Sequence, residues 1–117
     1  VVPRDKVAEF LNFTKKVEKK VDIRISSFGH AGDGNLHVYL LKDEMTEEDF
    51  QNKLTKAFDL LYSKGEELGG HVSGEHGIGY AKKEYLEKTM GHDYMNLLRG
   101  IKNVFDPKGI LNPGKVC

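Results

Sequence analysis

The tract Gly29-His30-Ala31-Gly32-Asp33-Gly34-Asn35 separates two short runs of alternating apolar and polar residues, and no other feature restricts the fold as tightly. Ile23 and Ile25 alternate with Arg24 and Ser26 within residues 21–28, the period-two pattern of a half-buried strand, and residues 36–41 form a second such run. Asp33-Gly34 tolerates the positive φ angles of a tight turn. An antiparallel hairpin is predicted, with one apolar face that needs a cover.

Two stretches supply it. Val7, Phe10, Leu11 and Val17 recur at helical spacing over residues 4–20, after Pro3. Thr46-Glu47-Glu48-Asp49 resembles a capping box with Asp in place of the usual Glu, and Phe50, Leu54, Ala57, Leu61 and Leu68 continue it as a long amphipathic helix. Gly69-Gly70 ends that helix, and His71-Val72-Ser73 reads as one more short strand before a Gly-rich turn at 74–79. Helices are predicted at about 80–89 and 93–104, turning Tyr85, Leu86, Leu97, Leu98, Ile101 and Phe105 inward. Asp106-Pro107-Lys108-Gly109 and Asn112-Pro113-Gly114 are turn chemistry around an Ile110-Leu111 anchor.

This order predicts an α+β fold: a ferredoxin-like antiparallel sheet with helices on one face, incomplete at the N-terminus, plus C-terminal helices. Residues 1–117 read as a single domain whose first strand lies upstream of residue 1, consistent with a start at Val1-Val2-Pro3 without Met. The sheet edge left open by the missing strand invites a homodimer. Eighteen basic residues balance eighteen acidic ones, which removes the uniform positive field that nucleic acid requires. The single cysteine, Cys117, cannot form an internal disulfide, and no apolar stretch approaches the roughly 20 residues of a membrane span. A cytoplasmic setting is the expectation.

Chemistry concentrates in two places. His30 and His37 bracket the hairpin turn, so chain reversal brings them together, and Ser73-Gly74-Glu75-His76-Gly77 sets a carboxylate beside an imidazole in a later turn. Two His and one Glu form the ligand set of open catalytic centres for Zn, Mn or Fe(II). A plainer reading makes these residues surface or hydrogen-bonding groups of Gly-rich loops, and spacing leaves both open. Gly74-Glu75-His76-Gly77-Ile78-Gly79 lacks the Lys-Ser/Thr pair of a phosphate-binding loop. His71 and His92 read as structural or exposed.

Three motifs in one order carry more than spacing does. Gly29-His30-Ala31-Gly32-Asp33-Gly34-Asn35-Leu36-His37, Ser73-Gly74-Glu75-His76-Gly77-Ile78-Gly79, and Phe105-Asp106-Pro107-Lys108-Gly109-Ile110-Leu111-Asn112-Pro113-Gly114-Lys115 closely resemble the signatures of the C-terminal domain of FAD-linked oxidases. That family includes glycolate oxidase flavin subunits, D-lactate dehydrogenases and D-2-hydroxyglutarate dehydrogenases, and the wording of the first two motifs is nearest the glycolate oxidase branch. The resemblance implies a cap domain over FAD, with the flavin bound mainly by an absent N-terminal domain. It further implies His30, His37 and Glu75 as ligands of a divalent metal, His76 as catalytic base, and Asn112, with Lys115, near the cofactor. Asp33 or Asn35 would orient a ligand imidazole. The implied reaction oxidises a small 2-hydroxy acid to a 2-oxo acid, possible partners including an iron-sulfur subunit, with this chain inactive alone. The rival expectation is an independent metal- or small-ligand-binding domain without redox activity.

Overall fold

In the computed structural model, which describes residues Val1–Cys117, the chain divides into two units, Val1–His71 and Val72–Cys117. The first is built on the hairpin. β1 (Arg24–His30) and β2 (Asn35–Leu41) pair antiparallel, Phe28 opposite His37 and Ser26 opposite Tyr39. A 3-10 turn over Ala31–Asp33 joins them, closed by Gly34 at φ 68°. A methyl group on Gly34 would overlap the Val2 carbonyl oxygen, so both the backbone angle and the neighbouring chain demand glycine there.

α1 (Val7–Val21) buries Val7, Phe10, Thr14 and Val17, the predicted stripe with a hydroxyl added. Thr14 Oγ1 donates to the Leu11 carbonyl at 2.8 Å, which satisfies that hydroxyl inside the helix. Asp22 adopts a left-handed conformation and ends α1. Glu18 Oε1 then accepts the Ile25 N–H at 2.9 Å, tying the end of the helix to the start of the strand. α2 (Glu47–Glu67) begins at Thr46, whose side chain accepts the Asp49 N–H at 3.2 Å. Asp49 does not complete the reciprocal box; its carboxylate pairs with Lys53 at 3.3 Å.

Val7, Phe10, Val17, Ile23, Ile25, Ala57 and Leu61 form one buried cluster, with Leu36, Val38 and Leu40 of β2 packed against it. Each Val, Ile, Leu or Phe side chain among them contributes roughly 1.5–3 kcal/mol when fully buried. Both helices therefore lie on one face of the hairpin. The opposite face carries Arg24, Ser26, Phe28 and His30, all exposed. The α+β architecture with an antiparallel sheet and helices on one face is the predicted one.

One predicted strand does not form. The sheet has two strands, and residues 71–73 are irregular. His71 N–H donates to the Val1 carbonyl at 2.8 Å and the Val1 amino group donates to the His71 carbonyl at 3.0 Å, a pairing one residue long. Alternating residues mark a strand only where a neighbouring strand can complete the ladder.

The second unit holds α3 (Lys83–Phe105), interrupted at Gly91, whose φ of 80° and ψ of 173° are not helical. The break separates the two helical stretches that spacing predicted, the first beginning at Lys83 rather than residue 80. The inward assignment is corrected in part. Tyr85, Leu86 and Leu98 are half-buried and Met95 is fully buried, whereas Leu97, Ile101 and Phe105 are exposed. Periodicity identifies an apolar face but not the surface that covers it. No helix is long and apolar enough to cross a membrane.

Asp106 closes the C-terminal turn. Its buried carboxylate accepts Lys102 Nζ at 2.6 Å and the Ile110 and Leu111 N–H groups at 3.0 Å each. The Lys102 hydrogen bond, followed by the two backbone donors, holds this carboxyl below its ordinary value. A depressed pKa stabilises the fold above the unfolded value of about 3.9, and that contribution is lost as pH falls through the folded value. Amide protection in residues 102–111, relative to the intrinsic exchange rate at each pH, is expected to fall on acidification below about pH 4. Asp106→Asn should raise exchange at neutral pH and flatten the acid response; an unchanged response would remove Asp106 as its source.

Candidate metal and proton-transfer site

The hairpin places His30 at the end of β1 and His37 in β2, on the face opposite the helices. Because Phe28 pairs with His37, His30 lies one same-face position further along, and the two imidazole centroids are 6.2 Å apart with planes at 71°. Metal–imidazole bonds are about 2.0–2.1 Å long, so rings at this spacing can straddle one ion. Neutral imidazoles suit borderline divalent ions such as Zn, Mn and Fe(II). The predicted His pair is assembled by the fold of one unit.

Glu75 and His76 lie in the other unit, on the turn that follows Val72. His76 Nε2 is 3.4 Å from Glu75 Oε1, and their side chains are 65% and 47% exposed respectively. Nε2 is thus the ring nitrogen beside the carboxylate. The turn is braced locally. Ser73 Oγ donates to the Gly77 carbonyl at 3.1 Å, and Lys82 Nζ donates to Ser73 Oγ at 3.4 Å. Gly77, at φ 71°, gives the turn its left-handed corner.

Asn112 lies in the tail of this second unit, at φ 44°, and its carbonyl accepts the Lys115 N–H at 3.3 Å. Lys115 Nζ sits 5.1 Å from the Tyr80 ring centre, and the Val116 N–H donates to the Gly79 carbonyl at 2.8 Å. Both predicted tail residues thus have defined parts in folding the tail back on 79–80. Asp33 is in the hairpin turn and Asn35 faces His30 across the ladder. His71 and His92 are exposed; His71 is held through its backbone and His92 lies 3.6 Å from Glu87.

Sequence reasoning missed the company that His37 keeps. Phe28 stacks on its imidazole at 5.2 Å with planes 23° apart, and on Tyr39 at 5.3 Å and 12°. The hairpin register was the available signal, because it sets Phe28 opposite His37. Nothing in the spacing pointed to the Ser73–Lys82 brace.

The fold thus presents imidazole and carboxylate side chains in two places, a histidine pair on the hairpin and a Glu-His turn in the second unit. The chain belongs to the family described as FAD linked oxidases, C-terminal domain, whose model matches residues 1–116. It is 50% identical over 117 residues to a D-lactate dehydrogenase of Anaerostipes hadrus, covering 100% of this chain and 25% of that protein. It is 40% identical over 115 residues to the glycolate oxidase subunit GlcD of Bacillus subtilis, covering 98% and 24%. Identity is 40% over 96 residues to a D-2-hydroxyglutarate dehydrogenase of Stutzerimonas stutzeri, covering 81% and 21%. The chain thus spans about a quarter of the length of these relatives.

Proposed function

We propose that this chain is the substrate-side cap of an FAD-dependent oxidoreductase that converts a small 2-hydroxy acid of the glycolate or D-lactate type to the 2-oxo acid. The observation that carries it is the His30–His37 pair, whose 6.2 Å ring spacing on the helix-free face of the hairpin suits one divalent ion. His30, His37 and Glu75 are the residues that would hold it. The donor set fits Zn, Mn or Fe(II). When bound, FAD supplies the two-electron acceptor for hydride from C2, and the cation supplies Lewis acidity toward the substrate's oxygens.

His76 takes the remaining proton. Its Nδ1 accepts the hydrogen of the 2-hydroxyl, and the imidazolium so formed is stabilised by Glu75 Oε1, 3.4 Å from Nε2. The Ser73–Gly77 bond and Lys82 hold the turn that carries both groups, so His76 is positioned before substrate arrives. Asn112 and Lys115 are assigned the approach to the cofactor at the tail.

The partner in this reading is the flavin-binding part of the same polypeptide. Leu97, Ile101, Val104, Phe105, Ile110 and Leu111 are each at least half exposed, an apolar stretch of the kind that a second surface covers. Without that part the 117-residue chain should be inactive. A cytoplasmic location and an iron-sulfur partner subunit remain further elements of the proposal, as does homodimer formation through the hairpin edge.

The test is a substrate screen on the full-length protein under anaerobic conditions, combined with elemental analysis. Bound divalent metal and loss of the oxidised-flavin absorption band with D-lactate or glycolate are the expected results, with chelation slowing the reduction. A flavin band unchanged by every 2-hydroxy acid offered would overturn the oxidoreductase reading. Metal that is bound without flavin reduction would favour the independent metal-binding domain instead.

A further inference from the structure

Phe28 is a large apolar side chain that the core does not use. It is 58% exposed, on the hairpin face opposite α1 and α2, yet its ring is held between those of His37 and Tyr39. An imidazole coordinates through a lone pair lying in its ring plane, so a rotated ring misdirects the donor. The second side-chain torsion of histidine has broad, roughly two-fold minima, and a strand backbone does not fix the plane by itself. A ring stacked on one face of the imidazole restricts that rotation. Phe28 covers one face of His37 at 5.2 Å and 23°, while His30 approaches nearly edge-on at 71°.

We infer that Phe28 is a positioning residue, whose stacked ring sets the plane of the His37 imidazole and so presets the donor direction at the metal centre. The inference rests on the metal-centre reading above. Tyr39, stacked on Phe28 at 12°, limits the rotation of the Phe28 ring in turn. The three side chains sit on two paired strands, and their order follows from the register Phe28↔His37 and Ser26↔Tyr39. Cross-strand aromatic pairs interact through such contacts. Burial does not explain a mostly exposed phenylalanine here, whereas orientation of the adjacent imidazole does.

Co²⁺ titration of the chelator-treated full-length protein, with Zn²⁺ competition, tests this in the wild type, Phe28→Leu, Phe28→Tyr and His37→Ala. The Leu variant should bind about tenfold more weakly, the magnitude typical of groups that orient a ligand, and the Tyr variant should recover most of the loss. Thermal midpoints should stay within about 4 °C of wild type, because an exposed side chain contributes little to stability. In the metal-free protein, NMR should show the His37 ring protons losing an upfield ring-current shift in the Leu variant. If Leu binds as tightly as wild type while His37→Ala does not bind, the positioning role is overturned and the metal centre stands. If wild type binds neither ion, both fall. A weaker Leu variant that also melts early and is not rescued by Tyr would reduce Phe28 to a structural residue and overturn the inference.

Discussion

Replacing His76 with Asn is expected to lower kcat of the full-length enzyme by about 10²- to 10⁴-fold, the range for loss of a positioned general base. Metal content and KM should change little. The argument starts from the turn: Glu75 and His76 are adjacent, and Glu75 Oε1 lies 3.4 Å from the ring nitrogen. The Asn amide can still donate to that oxygen, so the substitution removes the proton acceptor while retaining a partner for the carboxylate. His37→Ala should differ from it in losing the metal and activity together. A fall in kcat without a rise in KM marks an interaction made only in the transition state. If His76→Asn keeps kcat within about threefold of wild type, another group takes the proton.

The contrast between His37 and His76 also explains what the sequence could disclose. His30 and His37 were legible because a hairpin is a local structure. Asp33-Gly34 and the flanking alternation set the register, and the register sets the neighbours. The α1 stripe and the α2 cap were legible for the same reason, since helical spacing and a Thr before acidic residues act over a few positions. The strand assigned to 71–73 failed because its pairing depends on a partner that local pattern does not supply; the chain offers it Val1. Leu97, Ile101 and Phe105 were placed inward because their spacing reveals a stripe, yet exposure depends on what lies against it. Glu75 and His76 were legible as neighbours in a Gly-rich turn, while their separate roles came only from the resemblance. Their 3.4 Å approach, and the Ser73–Lys82 contact in the same turn, arise from loop conformation that no periodicity encodes.

Gly29→Ala is expected to damage both stability and metal binding, because Gly29 occupies the one backbone position between Phe28 and His30. Its φ of 155° is rarely adopted by residues with a side chain, and it pairs with Leu36 across the ladder. A methyl group there would overlap the Asn35 carbonyl oxygen, and backbone cannot rotate away as a side chain can. Strain of this kind costs about 1–3 kcal/mol. Parting the last rungs of the hairpin adds to it, so a total of about 3 kcal/mol or more is expected. At about 4–8 °C per kcal/mol for a unit of this size, the melting temperature should fall by more than about 10 °C. The strands can relieve the overlap only by separating or shifting, and a one-residue slip sends alternate side chains to the opposite face. His30 and His37 would then no longer share a surface, and the Phe28 stack would be lost with them. Gly32→Ala is the matched control. A methyl group on Gly32 meets nothing within 4 Å, so the same chemical change in the same tract should leave stability within about 0.5 kcal/mol. Thermal melts and Co²⁺ titration of the two variants side by side separate the effects. Equal melting temperatures and equal affinities in the two would show that the close approach of Gly29 to Asn35 does not hold the hairpin in register.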